Sequence, residues 1–473
     1  MLIYSDHVIF IPVENRTKSY AYILFILFFS LSTVISINAI DTDHSKKVVI
    51  RNIETEISGY TRRKNLLEEI NIHEGIEFEN YVEMITFLDE AIQDLINMRV
   101  FDKTEYELTL ESSTKEMDIY SMKLSINDMW SIYPIPFPLY TSNTGLILGV
   151  RFFYFNIGGT LTDFTLFADI NIRQNPDGEG YLIPNWHITP AISGINILGQ
   201  DFSLEYNQEY KTVKKKSGDV LEKEYSYHFS SLSLASKLYL PLDFYYTMEP
   251  SITLNYSGVE TQFDENGVQF ALYGIEDYKL ADITWNHSLG YNNIDWIGNF
   301  RHGVDLHLSN ALILGSNFTQ SEIIDFSSEI EVGGKFFWRI NKYFNFSSQI
   351  KGIVGINREM ANLGENLRGI RNINMFGYLA AFLNIDLTIC IVDWDGVGEI
   401  LLRPFFDLGI VDKENSVFAI DDDFAYSTGA DIILYIDKLN SIQGRVTMGI
   451  DLGNPDWSDS EKYELDLALS LSY

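Results

Sequence analysis

The chain has 473 residues, 46% hydrophobic and 14% aromatic, with a formal charge of −32 from 66 acidic and 34 basic side chains. That balance argues against a nucleic-acid partner and against a role on the surface of anionic lipid, since both want a basic face. One cysteine, Cys390, excludes an internal disulfide framework and a thiolate metal cluster.

At the N-terminus Arg16 and Lys18 precede an apolar run from Tyr20 to Ile37, and the chain turns polar at Asp41. This pattern predicts a secretory signal peptide over residues 1–39, cleaved near Ala39. A signal anchor that spans the membrane is the alternative.

Residues 46–128 read as a small α+β domain. A short strand from Lys47 to Ile53 is followed by a helical stretch, Thr61 to Ile70, and a turn at His73, Glu74 and Gly75. Tyr81, Ile85, Leu88, Ile92 and Leu95 then recur at helical spacing, and two strands, Thr104 to Leu110 and Ile119 to Ile126, complete the unit. Two helices on one face of a three-stranded sheet would bury a small core, and an open sheet edge can accept an extended peptide. Pro134, Pro136 and Pro138 then predict a Pro-rich linker over 129–143, with no continuous ladder.

From Thr144 onward, helical periodicity gives way to about sixteen period-2 segments. Pro184 makes Leu182 to Ile188 the poorest of them. Spans of about ten residues with alternating polarity suit tilted strands that cross an outer membrane. In the last segment Leu465, Leu467, Leu469, Leu471 and Tyr473 share one face. An exposed final strand would be an aggregation edge unless the barrel closes on it, and the expected partner is the strand near Thr144 to Phe155.

Charges within the strands mark a candidate site. The polar loop that contains Leu367, Arg368, Gly369 and Ile370 offers a cation, and the next two segments offer carboxylates at Asp386 and Asp407. An ion in an apolar strand is costly unless paired, and the planar fork of Arg368 can bridge two carboxylates. The bland alternative is a solvated arginine and two ordinary inward-facing polar residues. Asp421, Asp422 and Asp423 read as solvated loop charge; a divalent cation is the lesser alternative, since neighbouring side chains on an extended loop are not expected to converge on one point. No catalytic triad, phosphate loop or dinucleotide fingerprint appears. We therefore expect neither an enzyme nor a metal or other cofactor.

Taken together, these features resemble the Omp85 superfamily, the bacterial surface-antigen D15 type of outer-membrane barrel. The match rests on Leu367-Arg368-Gly369-Ile370, with Ile370 in place of the family's aromatic. It rests also on Phe405-Phe406-Asp407-Leu408-Gly409, on Asp386, on five segments after the loop, and on an N-terminal block the length of one POTRA domain. The resemblance implies an all-β transmembrane barrel of 16 antiparallel strands over 144–473, preceded by a periplasmic POTRA domain. It implies a loop clamped in the lumen through Arg368, Gly369, Asp386, Asp407 and Gly409, and a seam formed by the first and last strands. The location it implies is the outer membrane of a diderm bacterium, with a monomeric barrel in contact with lipid. Its implied partners are unfolded outer-membrane or secreted polypeptides and periplasmic accessory proteins. It implies an assembly and insertion factor, with a translocation pore for one passenger or a passive diffusion porin as alternatives.

Overall fold

The computed structural model describes residues 46–141, 145–174, 181–197, 199–217, 220–263, 269–274, 280–317, 322–358, 360, 363–370, 375, 377–394, 396–412, 424–437, 442–454, 456–457 and 462–471. The expected leader over 1–39, the triple Asp421–Asp423 and Tyr473 lie outside them.

The small domain contains β1 (Lys47–Ser58), α1 (Arg63–Glu69), β2 (Ile76–Phe78), α2 (Tyr81–Asn97), β3 (Phe101–Ser113) and β4 (Met117–Asp128). Its sheet has the order β2-β1-β4-β3, with β1 and β4 parallel, so it has four strands rather than the expected three. The addition is β2, three residues that extend the sheet beside β1. Helix α2 starts where the Asn80 side chain accepts from Glu83 N at 2.9 Å, while the Glu83 carboxylate accepts from Glu79 N at 2.7 Å. Its buried stripe is Met84, Leu88, Ala91 and Leu95. That is turned slightly from the expected one, so Tyr81 faces solvent. The stripe packs with Ile50, Leu66, Met122 and Leu124, and this core runs on into Tyr133, Phe153 and Phe155 at the foot of the barrel.

The second element is a closed antiparallel barrel. Its strands are β5 (Ile132–Thr141), β6 (Gly145–Tyr154), β7 (Asp163–Gln174), β8 (Tyr181–Ile197), β9 (Gln200–Ser217) and β10 (Val220–Tyr239). They continue with β11 (Phe244–Phe263), β12 (Gln269–Gly274), β13 (Leu280–Asn292), β14 (Asp295–Ile297), β15 (Phe300–Asn317) and β16 (Glu322–Arg339). The last six are β17 (Phe344–Ile356), β18 (Leu379–Trp394), β19 (Gly398–Asp412), β20 (Phe424–Ile436), β21 (Ile442–Asp451) and β22 (Tyr463–Leu471). Strands β11–β13 and β13–β15 pair past the short β12 and β14, so sixteen strands close the ring among the described residues. This is the predicted barrel.

Alternation sends apolar side chains outward. Leu146, Leu148 and Val150 on β6, and Ile432 and Leu434 on β20, are all exposed. Trp338, Tyr343 and Trp394 form exposed aromatic positions near the turns at the small-domain end, as expected where a barrel meets a membrane interface.

Two expectations about proline need correction. The stretch 129–143 is not a linker, because β5 occupies Ile132–Thr141 and pairs residue by residue with β6 through all three prolines. The barrel therefore begins about a dozen residues earlier than expected, and the partner of the last strand is β5, not the segment from Thr144 to Phe155. Likewise β8 runs through Pro184 and Pro190. A strand proline lacks only one donor, on one of the strand's two edges, so a ladder on the other edge is unaffected.

The small domain is fixed to turns at its end of the barrel. Asn156 donates to Thr61 Oγ1 at 2.6 Å, and Arg62 N donates to Gly159 O at 3.0 Å. Gly159 has φ +79, and a Cβ there would meet Tyr60 O at 1.9 Å, so only glycine permits this approach. Past α2, Arg99 donates to Gly298 O at 3.1 Å and Asn299 Oδ1 at 2.8 Å, and lies 4.1 Å over the Trp296 ring.

Candidate functional site: the loop tip inside the barrel

The loop between β17 and β18 leaves the far end of the barrel and folds back inward. Its apolar residues Met360, Leu363, Leu367 and Ile370 are buried with Ile353, Ala380, Phe382 and Val411 on the wall. Ile370, the departure from the aromatic pattern, is 1% exposed and completes this cluster.

Packing brings Arg368 over three successive strands. Asp407 on β19, which is fully buried, accepts from Arg368 N and Nε at 2.9 Å each and from Nη2 at 2.7 Å. This is the bidentate fork geometry of a strong arginine–carboxylate pair, with a backbone bond added. Arg368 Nη1 lies 2.7 Å from Asp386 Oδ1 on β18 and 3.3 Å from Asp431 Oδ2 on β20. Asp386 is further held by Ser347 Oγ at 3.3 Å. Arg403 donates from Nε to Asp431 Oδ2 at 2.7 Å, so a second cation shares that buried carboxylate. Ser427 Oγ donates to Arg368 O, and Gly369 N donates to Glu464 Oε2 on β22 at 2.6 Å.

Close approach is a matter of glycine. Phe405 carries the Arg368 guanidinium 4.1 Å above its ring. The space beneath that ring exists because β20 and β21 present Gly429 and Gly449, where a Cβ would lie 2.6 Å and 3.4 Å from Phe405 Cζ. A Cβ on Gly449 would also meet Gly369 Cα at 2.3 Å. Gly369 has φ +79, which favours glycine at the tip. At Gly409 a Cβ would meet Leu367 Cδ1 at 2.8 Å and Phe382 Cδ1 at 2.9 Å.

The two loop residues and three strand residues named from the sequence therefore lie in one contact set: Arg368 and Gly369 with Asp386, Asp407 and Gly409. Sequence reasoning missed Asp431, Arg403, Ser427, Glu464 and Gly449. The available signal was the lone acid in Gly429-Ala430-Asp431-Ile432-Ile433, one strand beyond Asp407. At the seam, Leu465 and Leu467 face outward and are exposed, while Leu469 and Leu471 lie on β22 with side chains outside the described residues.

A second charged cluster lies where α2 meets the barrel. Burial pushes the Asp94 carboxyl up to about 6, and the Asp295, Glu90 and Asp243 carboxylates push in the same direction. The neighbouring Arg99 guanidinium is drawn down to about 10 by burial.

The whole arrangement can be set against known structures. BamA from Haemophilus ducreyi, lacking POTRA domains 1–3, superposes with a TM-score of 0.50 at 10% identity, covering 90% of this chain and 84% of that one. CdiB from Acinetobacter baumannii gives 0.57 at 13% identity, covering 90% and 74%. The fold is that of BamA and CdiB. CdiB from Escherichia coli matches along 98% of this chain and all of its own length, with a TM-score of 0.50 and 10% identity. The barrel preceded by a small α+β domain, expected from the sequence, is thus a fold shared with these structures. No protein-family model and no curated protein matches the chain.

Proposed function

We propose that the chain is an Omp85-type outer-membrane factor that inserts or translocates polypeptides, and that its main task is the assembly of other barrels. The observation that carries this reading is the seam. Neighbouring strands elsewhere in the ring share ladders of many residues, but among the described residues β5 and β22 meet in one pair, Thr141↔Asp466. Between the described residues 132–140 and 467–471 no ladder forms, so the small-domain half of the wall can open sideways at low cost, because each ladder bond contributes about 1 kcal/mol. The small domain would lie in the periplasm and offer the edge of β3 to an extended client. The Arg368 clamp stiffens β18 to β20, so movement is confined to the seam. This work makes and breaks pairings between strands and needs no catalytic group.

A dedicated translocation pore is the second reading, since a wall that opens at the seam could also release an extended passenger. Depletion of the protein followed by quantitative proteomics of the outer membrane separates the two. A joint fall of many unrelated barrels supports the assembly role. Loss of one secreted or surface protein with the barrels intact assigns the pore role instead, and no change in either refutes both.

A further inference from the structure

The seam has two edges, and they are chemically unequal. On β5 the phase of the ladder is fixed by Phe155 N, which donates to Ser131 O at 2.8 Å. In an antiparallel pair, alternate residues turn both backbone groups to the same neighbour. Tyr133, Ile135 and Phe137 therefore bond to β6, and Pro134, Pro136 and Pro138 turn toward β22. The prolines cost the β5–β6 ladder nothing and remove three successive donors from the seam.

On β22 the phase follows from Leu452 N, which donates to Tyr426 O at 3.0 Å. Carried through the registers of β20–β21 and β21–β22, it turns Glu464, Asp466 and Ala468 toward β21. Leu465, Leu467, Leu469 and Leu471 turn their N–H and C=O groups toward the seam. The Thr141↔Asp466 bridge agrees with both phases, since it is flanked by Tyr140 and Leu467, which face the seam and carry amides. In the same register the next partners would be Pro138 with Leu469 and Pro136 with Leu471, and pairing stops there. The unpaired part is the half nearest the small domain.

We propose that Pro134, Pro136 and Pro138 blunt the β5 edge, so that β22 is the barrel's docking edge for an extended polypeptide strand. A strand added to β5 meets acceptors without donors at three consecutive positions. A strand added to β22 meets both, beside the outward-facing Leu465 and Leu467, which match the apolar face of an amphipathic strand. The occupant is an extended segment because only backbone groups are on offer, and it arrives from the small-domain side because that half of the seam is unpaired. The inference rests on the proposed reading of the seam and adds which strand does the work.

The test uses the purified full chain in micelles and a synthetic ten-residue strand of alternating Leu and Thr that carries a benzophenone. After irradiation, adducts are mapped by mass spectrometry. Adducts within 463–471 are expected; adducts within 132–141, or in neither strand, overturn the proposal whatever depletion proteomics shows. The triple variant Pro134→Val, Pro136→Val, Pro138→Val restores the donors. It should slow amide exchange over 463–471 at least about tenfold and reduce labelling. If that variant fails to fold, the single Pro138→Val adds one donor next to the existing pair and should change both readings in the same direction. Unchanged exchange and labelling in a folded variant overturn the role of the prolines.

Discussion

Replacing Arg368 with alanine is the most informative single change at the loop tip. Asp407 is fully buried and takes three bonds from this residue, of which the variant keeps only the one from the backbone. Removing one partner of a buried ion pair costs about 3–5 kcal/mol. Against this stands the apolar anchor of Met360, Leu363, Leu367 and Ile370, where each buried side chain contributes about 1.5–3 kcal/mol. The tip should therefore loosen while the barrel stays folded. A penalty of about 3–5 kcal/mol corresponds to a rise of about 10²–10⁴ in local exchange at the Leu367 and Gly369 amides, with β18 and β19 still protected. Hydrogen exchange of the variant in micelles reads this directly. In cells we expect a barrel that inserts but fails to function. Unchanged exchange at Gly369 together with full activity would refute the clamp.

Two further predictions concern other contacts. Gly449→Ala places a Cβ 2.3 Å from Gly369 Cα, so the tip must retreat at a cost of about 1–3 kcal/mol; the Gly369 amide should exchange faster, with Arg368 itself intact. The Asp94 carboxyl is raised to about 6 in the folded chain, so the charged form opposes docking of the small domain. Its penalty is fully present above that value and is relieved as pH falls from about 6 toward the unfolded value near 4. Cross-linking between α2 and the 293–299 turn should therefore increase between pH 7 and pH 5, and Asp94→Asn should abolish the dependence.

Much of the barrel was legible because alternation survives in many strands, from Phe202-Ser203-Leu204-Glu205-Tyr206 to Leu465–Leu471. Arg368, Asp386 and Asp407 stood out because charge inside apolar strands demands a partner. What escaped needed register. Asp431 looks like any inward polar residue until β19–β20 pairing sets Arg403 opposite it. Gly449 matters only because the tip comes to rest on it. The prolines of β5 were misread because a proline disqualifies one edge of a strand, and the sequence does not say which edge the ladder uses. Likewise, Met84 and Ala91 displaced Ile85 and Ile92 at the centre of the α2 stripe because the sheet, not the helix alone, decides which side is covered.

Locking the seam tests the central claim most directly. Thr141 and Asp466 form a non-hydrogen-bonded antiparallel pair, the geometry in which Cα atoms come near enough for a disulfide. The double variant Thr141→Cys, Asp466→Cys should assemble normally, lose function when oxidised in cells, and recover it on reduction. Full activity with the disulfide formed would contradict a seam that opens.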